Sequence, residues 1–343
     1  MEAILRVEEA IKAIKNGEMI IIMDDEDREN EGDLVMAGIF STPEKINFMA
    51  QEARGLICVS ITKEIANVLD LPPMVSHNSS NHETAFTISI DAKEAKTGIS
   101  AYERDLTINL MCRANAKPDD FVRPGHIFPL IAKEGGVLER TGHTEASVDI
   151  CKLAGLKPIS VICEIMREDG LMARRGDKFL SEFSIKHNLK ILYVSDLIQY
   201  RLSFENLIAI LSKESCQFLQ TKTEKIKIKD HLNRIHTIFK IGNPLQNPLV
   251  KFHTITQDLM LLEDTEKFNG LMNAIGKLKS EGGYLIFLAT EANKDIKGLG
   301  IGAQILKALE IRDFKLLTTS KFDENDCGML SGFDLKILER IEI

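Results

Sequence analysis

Apolar residues Ala3, Val7, Ala10, Ile11 and Ile14 recur at helical spacing near the start of the chain. That repeat predicts a helix. Gly17 follows where a C-terminal cap needs left-handed backbone, so the helix should end there. Residues 19–23, Met-Ile-Ile-Ile-Met, are a β-branched run without polar alternation, the pattern of a strand covered on both faces. Further strand-like runs at residues 55–61, 85–90, 158–163 and 190–194 alternate with helical stretches to about residue 197. This pattern predicts a mixed sheet with helices.

The pattern changes beyond residue 200. A helix is expected around residues 204–211, then a polar stretch, then the strict alternation of residues 225–229, which predicts a hairpin strand with one solvated face. A helix is expected at 269–280, a strand at 284–289, a Gly-rich turn at 298–302 and another helix to Leu309. The expected division is into residues 1–205 and residues 206–343.

The 343 residues are 44% hydrophobic and 27% charged, enough apolar material for about two packed cores. Lys and Arg number 43 against 51 Asp and Glu, a formal charge of −8, so the chain as a whole offers no counterion-release surface for nucleic acid. No apolar run approaches the roughly 20 residues of a membrane span. The N-terminus lacks the apolar core and cleavage site of a secretory signal, which predicts a cytoplasmic protein. Six scattered cysteines (58, 112, 151, 163, 216 and 327) form no CxxC pair and no zinc-type spacing, so reduced thiols are expected.

Candidate chemistry begins directly after the first buried strand, with the acidic stretch DDEDRENEGD at residues 24–33. Charge runs are usually solvated loops. Loops at the ends of buried strands, however, are where α/β proteins place their sites, and neighbouring carboxylates suit Mg²⁺ or Mn²⁺. Crowded carboxylates also raise one another's pKa, which fits a general acid or base. Arg28 within the run is a fork for phosphate or enediolate. The stretch RTGHTEA at residues 140–146 precedes an apolar-periodic run; Thr144 reads as its N-cap, with amides pointing toward Gly142 and His143 and Arg140 adding charge for an anion. In RPGHIFPL, residues 123–130, two prolines and a glycine hold His126 on a stiff turn. Glu164 ends the apolar run that precedes it, where a carboxylate can be partly desolvated. The glycines at 298, 300 and 302 lack dinucleotide-fingerprint spacing, and no phosphate-binding P-loop is present.

DDEDRENEGD, RPGHIFPL, GGVLERTGHTEA and the later Cys163-Glu164 pair resemble, in order and spacing, the 3,4-dihydroxy-2-butanone 4-phosphate synthases of riboflavin biosynthesis, over about residues 3–200. The resemblance implies an α+β fold, a mixed β-sheet with flanking helices, and a homodimer with its active site near the subunit interface. The implied reaction converts D-ribulose 5-phosphate to L-3,4-dihydroxy-2-butanone 4-phosphate and formate with Mg²⁺ or Mn²⁺. By motif position, Glu29 and His143 would hold the metal. Arg28, Glu29, Asp33, Arg140, Thr141, Gly142, His143, Thr144 and Glu164 would contact the sugar phosphate, and His126, Glu164 and Glu31 would move protons. Thr141 departs from the small residue usual in the family, a change expected to be tolerated.

The second half resembles, more faintly, GTP cyclohydrolase II, a second, smaller α/β domain, through residues 301–306, 316–318 and 339–341. That family binds zinc through three cysteines, yet no cysteine lies between Cys216 and Cys327, and Thr254, Ile255 and Thr256 follow His253 where the first ligand belongs. Residues 290–294 replace the Arg- and Gly-rich nucleotide stretch; Asp295 matches the catalytic set, but Lys297 stands for an arginine and Leu299 for an aromatic residue. No zinc and no ring opening of GTP are expected. A bifunctional enzyme that still processes GTP, with His253 and Asp258 as its remaining donors, is the competing reading, and a sugar-phosphate binder without turnover is a third.

Overall fold

The computed structural model describes residues 2–26, 28–82, 84–244, 246–289, 296–319 and 335–343, with backbone alone for 296–299. The chain divides into two compact units, Met1–Tyr200 and Arg201–Ile343. Cys327, residues 290–294 and Asp295 lie outside the described residues, as do the side chains of Lys297 and Leu299.

The first unit runs α1 (Glu2–Lys15), β1 (Ile20–Met23), β2 (Gly32–Ala37), α2 (Pro43–Phe48), β3 (Cys58–Ile61), α3 (Lys63–Val68), β4 (Ile90–Ala92), α4 (Ala101–Cys112), β5 (Phe121–Ile131), α5 (His143–Leu153), β6 (Ile159–Glu164), α6 (Lys178–His187), β7 (Lys190–Tyr193) and α7 (Val194–Phe204). Its seven strands form one sheet in the order β4-β5-β3-β6-β2-β1-β7. The pairs β3/β5 and β1/β7 are parallel and the rest antiparallel, a mixed sheet. β1 shows why its run is uniformly apolar. Ile21 and Met23 join Ile46, Met49, Ile108 and Leu180 in one core cluster, while Ile20 and Ile22 are equally buried on the other side of the strand, the side on which α5 and α1 pack. Only a small part of the run at 85–90 enters the ladder: β4 starts at Ile90, and Phe86 and Thr87 make isolated bridges.

The second unit contains β8 (Ile208–Phe218), β9 (Thr221–Asp230), β10 (Ile235–Ile241), β11 (Leu249–Thr254), α8 (Asp258–Glu263), α9 (Thr265–Glu281), β12 (Gly283–Leu288), α10 (Ile296–Ala308), β13 (Asp313–Thr318) and β14 (Lys336–Glu342). Its sheet order is β14-β13-β11-β12-β10-β9-β8. The first three strands form an antiparallel meander, and β11 is parallel to both β12 and β13. Leu249, Leu271, Ile275, Leu278 and Leu285 pack α9 onto this sheet.

Two expectations here are corrected. The helix expected at 204–211 is the end of α7 followed by β8; Leu207–Leu211 is too short an apolar run for periodicity to separate helix from strand, and pairing with β9 decides it. The Gly-rich turn expected at 298–302 is inside α10. Gly300 and Gly302 serve close packing there: a Cβ at Gly300 would lie 2.6 Å from Leu202, and one at Gly302 would lie 3.1 Å from Phe252.

Candidate active site

The acidic loop joins β1 to β2, and its first residue organises it. Asp24 is fully buried. Its Oδ1 accepts the Glu31 amide at 2.8 Å, and its Oδ2 accepts the Glu29 amide at 3.1 Å and Arg28 at 2.7 Å. Asn30 takes the left-handed conformation that turns the chain back. Arg28 also grips both carboxylate oxygens of Glu29, at 2.8 and 3.1 Å. The loop is therefore folded around its own arginine, not spread into solvent.

The sheet register adds the next acids. Asp33 on β2 pairs with Glu164 on β6, so both carboxylates leave the same row of the sheet. Glu164 Oε2 accepts the Leu56 amide at 2.8 Å. Gly55 allows that approach, because a Cβ there would lie 2.6 Å from the same oxygen. Asp33 is 3% exposed, and its Oδ1 has no hydrogen-bond partner.

α5 delivers the imidazole. His143 is its first residue, and Nε2 lies 3.0 Å from the Glu31 carbonyl oxygen, 3.9 Å from Asp24 Oδ1 and 3.9 Å from Asp33 Oδ1, with Nδ1 3.6 Å from Glu29 Oε2. The expected N-cap is corrected: Gly142, not Thr144, caps the helix, and Thr144 lies within the first turn. A Cβ at Gly142 would overlap the Arg140 guanidinium. Arg140 Nη1 donates to the buried Glu145 at 2.6 Å, and Nη2 donates to the His82 carbonyl at 2.8 Å.

The electrostatics follow from burial and crowding. Burial pushes Asp33 up to about 7, with Glu164, Glu29 and Asp24 adding to it against His143. Burial also lifts Glu31, helped by Glu29. Burial opposes ionisation of Glu29, yet His143 and Arg28 outweigh it and hold Glu29 at about 2. For His143 burial pulls down, and Asp33, Glu29 and Asp24 together carry it up to about 9. Carboxylates gathered around one imidazole thus sit at opposite ends of their range.

Asp24, Glu29 and His143 each offer one ligand atom, all within 4.8 Å of one another. Hard oxygens with one imidazole fit Mg²⁺ or Mn²⁺, and the buried Asp33 Oδ1, 3.9 Å from the same imidazole, is a further oxygen that makes no hydrogen bond. It is the one such cluster among the described residues.

His126 stands apart. It is exposed and lies within β5, at the irregularity between Val122 and Ile127. Arg28, Glu29, Glu31, Asp33, His143 and Glu164 come together, whereas the hydrogen bonds of His126 go to Asp91. The sequence reading missed the organising role of Asp24, which its place right after a buried strand signalled, and Asp91, which hydrogen-bonds His126 and carried no sequence signal. In the second unit His253 is buried on β11, edge-on to Phe287 at 5.5 Å, and burial together with Lys267 and Lys251 lowers it to about 4.

A mixed sheet with helices and a cluster of carboxylates and imidazole at one end of its strands is the arrangement of a candidate enzyme site for a divalent cation. Residues 8–200 match the 3,4-dihydroxy-2-butanone 4-phosphate synthase family, and residues 259–342 match GTP cyclohydrolase II. The chain is 64% identical over 351 residues to the 3,4-dihydroxy-2-butanone 4-phosphate synthase of Helicobacter hepaticus, covering 98% of this chain and 99% of that protein. RibBX, a two domain 3,4-dihydroxy-2-butanone 4-phosphate synthase from A. baumannii, is similar with a TM-score of 0.84 and 40% identity, over 98% of this chain and 99% of that one. A 3,4-dihydroxy-2-butanone 4-phosphate synthase in complex with two magnesium ions is similar with a TM-score of 0.54 and 40% identity, over 58% of this chain and 97% of that one. The chain belongs to the 3,4-dihydroxy-2-butanone 4-phosphate synthase family, an enzyme family of riboflavin biosynthesis, and carries a second region similar to GTP cyclohydrolase II.

Proposed function

We propose that the first unit converts D-ribulose 5-phosphate to L-3,4-dihydroxy-2-butanone 4-phosphate and formate, and that the second unit has lost GTP cyclohydrolase II activity. The observation that carries the first half is the convergence of Glu29 and His143 on the sheet row shared by Asp33 and Glu164, with Asp33 Oδ1 without a hydrogen bond. Glu29 and His143 hold Mg²⁺ or Mn²⁺. The bound ion supplies Lewis acidity that makes the carbon between two substrate oxygens easier to deprotonate. Arg28, Asp33 and Glu29 orient the sugar hydroxyls, and Arg140 with the 141–144 turn takes the phosphate at the start of α5. Glu164 and Glu31 exchange protons with the carbon skeleton, and His126 serves as a further acid–base group. Among the described residues His126 hydrogen-bonds Asp91 and no member of the acidic cluster, which supports a homodimer in which sites lie near the subunit interface.

For the second unit, the support is the missing cysteine set and the surroundings of His253. Cys216 lies on β8 with its Sγ 3.2 Å from Thr223 Oγ1, on the meander and not on β11. Lys251 and Lys267 beside His253 repel a cation. The test is formate release from D-ribulose 5-phosphate with Mg²⁺ and with excess chelator, GTP in parallel and zinc content measured on the same sample. Metal-dependent formate from the sugar phosphate, none from GTP and substoichiometric zinc are expected. No formate from the sugar phosphate overturns the synthase assignment; formate from GTP or a full complement of zinc overturns the loss of the second activity.

A further inference from the structure

β5 does not run straight past β4. Ile90 pairs with Ile127, yet Asp91, the next residue, pairs with Val122, so residues 123–126 are lifted out of the ladder as a multi-residue bulge. Gly125 makes this possible, since a Cβ there would overlap the Ile90 backbone, and its amide donates to Ser89 Oγ at 3.1 Å. The bulge lays His126 over Asp91. Asp91 Oδ1 accepts the His126 backbone N–H at 2.8 Å, and Oδ2 lies 2.8 Å from ring Nδ1. The Asp91 side chain is 9% exposed and that of His126 is 44% exposed, so the carboxylate is covered while the ring faces out. Gly98, at φ +81°, closes the arrangement: a Cβ there would overlap Asp91 Oδ2 and stand 2.5 Å from His126 Nδ1.

We propose that Asp91 is the positioning residue of His126, holding the proton on Nδ1 and presenting Nε2 as the base. The inference rests on the assignment of His126 to the reaction made above. An ionised carboxylate only accepts hydrogen bonds, so a partner at Oδ2 must carry hydrogen on Nδ1. Nε2 is then left with its lone pair, and it meets no hydrogen-bond partner among the described residues. A proton taken from substrate at Nε2 makes an imidazolium whose charge is balanced by Asp91. Returning that proton to the product restores the neutral ring, so no other group is consumed. The two oxygens of Asp91 have separate tasks: Oδ1 fixes the bulge backbone and Oδ2 fixes the ring.

That separation gives a clean variant. Asp91→Asn keeps an oxygen for the His126 amide but sets an NH₂ group against Nδ1, which forces the proton onto Nε2. The expected result is a fall in kcat on the order of 10³-fold with KM within about threefold, an unchanged thermal midpoint, and a ¹⁵N spectrum in which the His126 tautomer has switched. His126→Ala runs beside it. Full turnover of His126→Ala overturns the assignment of His126 to the reaction. An inactive His126→Ala with a fully active Asp91→Asn overturns the role of Asp91 alone. If Asp91→Asn does not fold, the ¹⁵N tautomer of His126 in the unaltered chain decides: hydrogen on Nδ1 supports the proposal, and hydrogen on Nε2 overturns it.

Discussion

The two units share a plan, a seven-stranded mixed sheet with helices, and differ in how their buried polar groups are treated. Asp33 of the first unit and Asp230 of the second are each 3% exposed. Asp33 Oδ1 has no hydrogen-bond partner, and burial pushes the carboxyl up to about 7. Asp230 accepts the Leu232 and Arg234 amides at 2.9 Å each and Arg234 Nε at 2.7 Å, with His236 Nε2 at 3.2 Å; despite its burial, these partners hold it well below the usual carboxylate range. The histidines diverge the same way. Carboxylates carry His143 up to about 9 against burial, while burial and two lysines bring His253 down to about 4. A buried acid with unmet lone pairs is a reagent, and one with all its lone pairs used is a fastener.

That contrast is sharpest at the metal-type cluster. Glu29→Gln keeps the shape of the loop and removes a charge, so turnover of the sugar phosphate should fall on the order of 10³-fold, and Mn²⁺ binding followed by electron paramagnetic resonance should weaken more than about tenfold. Unchanged Mn²⁺ affinity would take Glu29 out of the ligand set. Asp230→Asn should do the reverse. Urea unfolding should show the second unit losing about 3–5 kcal/mol, because Arg234 and His236 lose a buried charged partner, while synthase turnover stays as it was.

A smaller effect separates the units by pH. His253 has a folded pKa of about 4, below its ordinary 6.5, so on acidification the unfolded chain takes up the proton first. The second unit should therefore lose up to about 3 kcal/mol between pH 6.5 and 4 and level off below that. Hydrogen exchange of the β11 and β12 amides would follow this loss, and His253→Gln should flatten it. The smallest effect is expected from cutting the chain: a fragment ending at residue 205 should keep its synthase turnover. An inactive or insoluble fragment would make the second unit part of the folding or assembly of the first.

Much of this was legible in the residues. The apolar run at 19–23 and the acids that follow it signalled a buried strand with a site at its end, and the RTGHTEA stretch signalled a helix start carrying His143. The pairing of Asp33 with Glu164 was not legible, because it depends on two strands far apart in the chain meeting in one register. Neither was Asp91. It sits in an ordinary strand sequence, and only the bulge of residues 123–126 brings His126 onto it. The glycines in α10 misled for a related reason: periodicity marks a glycine as a break, whereas here Gly300 and Gly302 make room for Leu202 and Phe252.

The sequence by itself determined the kinds of groups available: the acids and arginine of one loop, the histidine at a helix start, and the absence of any cysteine between Cys216 and Cys327. Local pattern suffices for these, since composition and short-range spacing do not depend on how the chain closes. Only the tertiary structure decided which acids stay charged. Asp33 and Glu29 belong to the same ten-residue motif, yet one is pushed up to about 7 and the other held at about 2. The difference comes from burial, from the loop's own Arg28, and from the histidine and carboxylate that α5 and β6 bring beside them, and charge interactions depend on distance in space and not on separation along the chain.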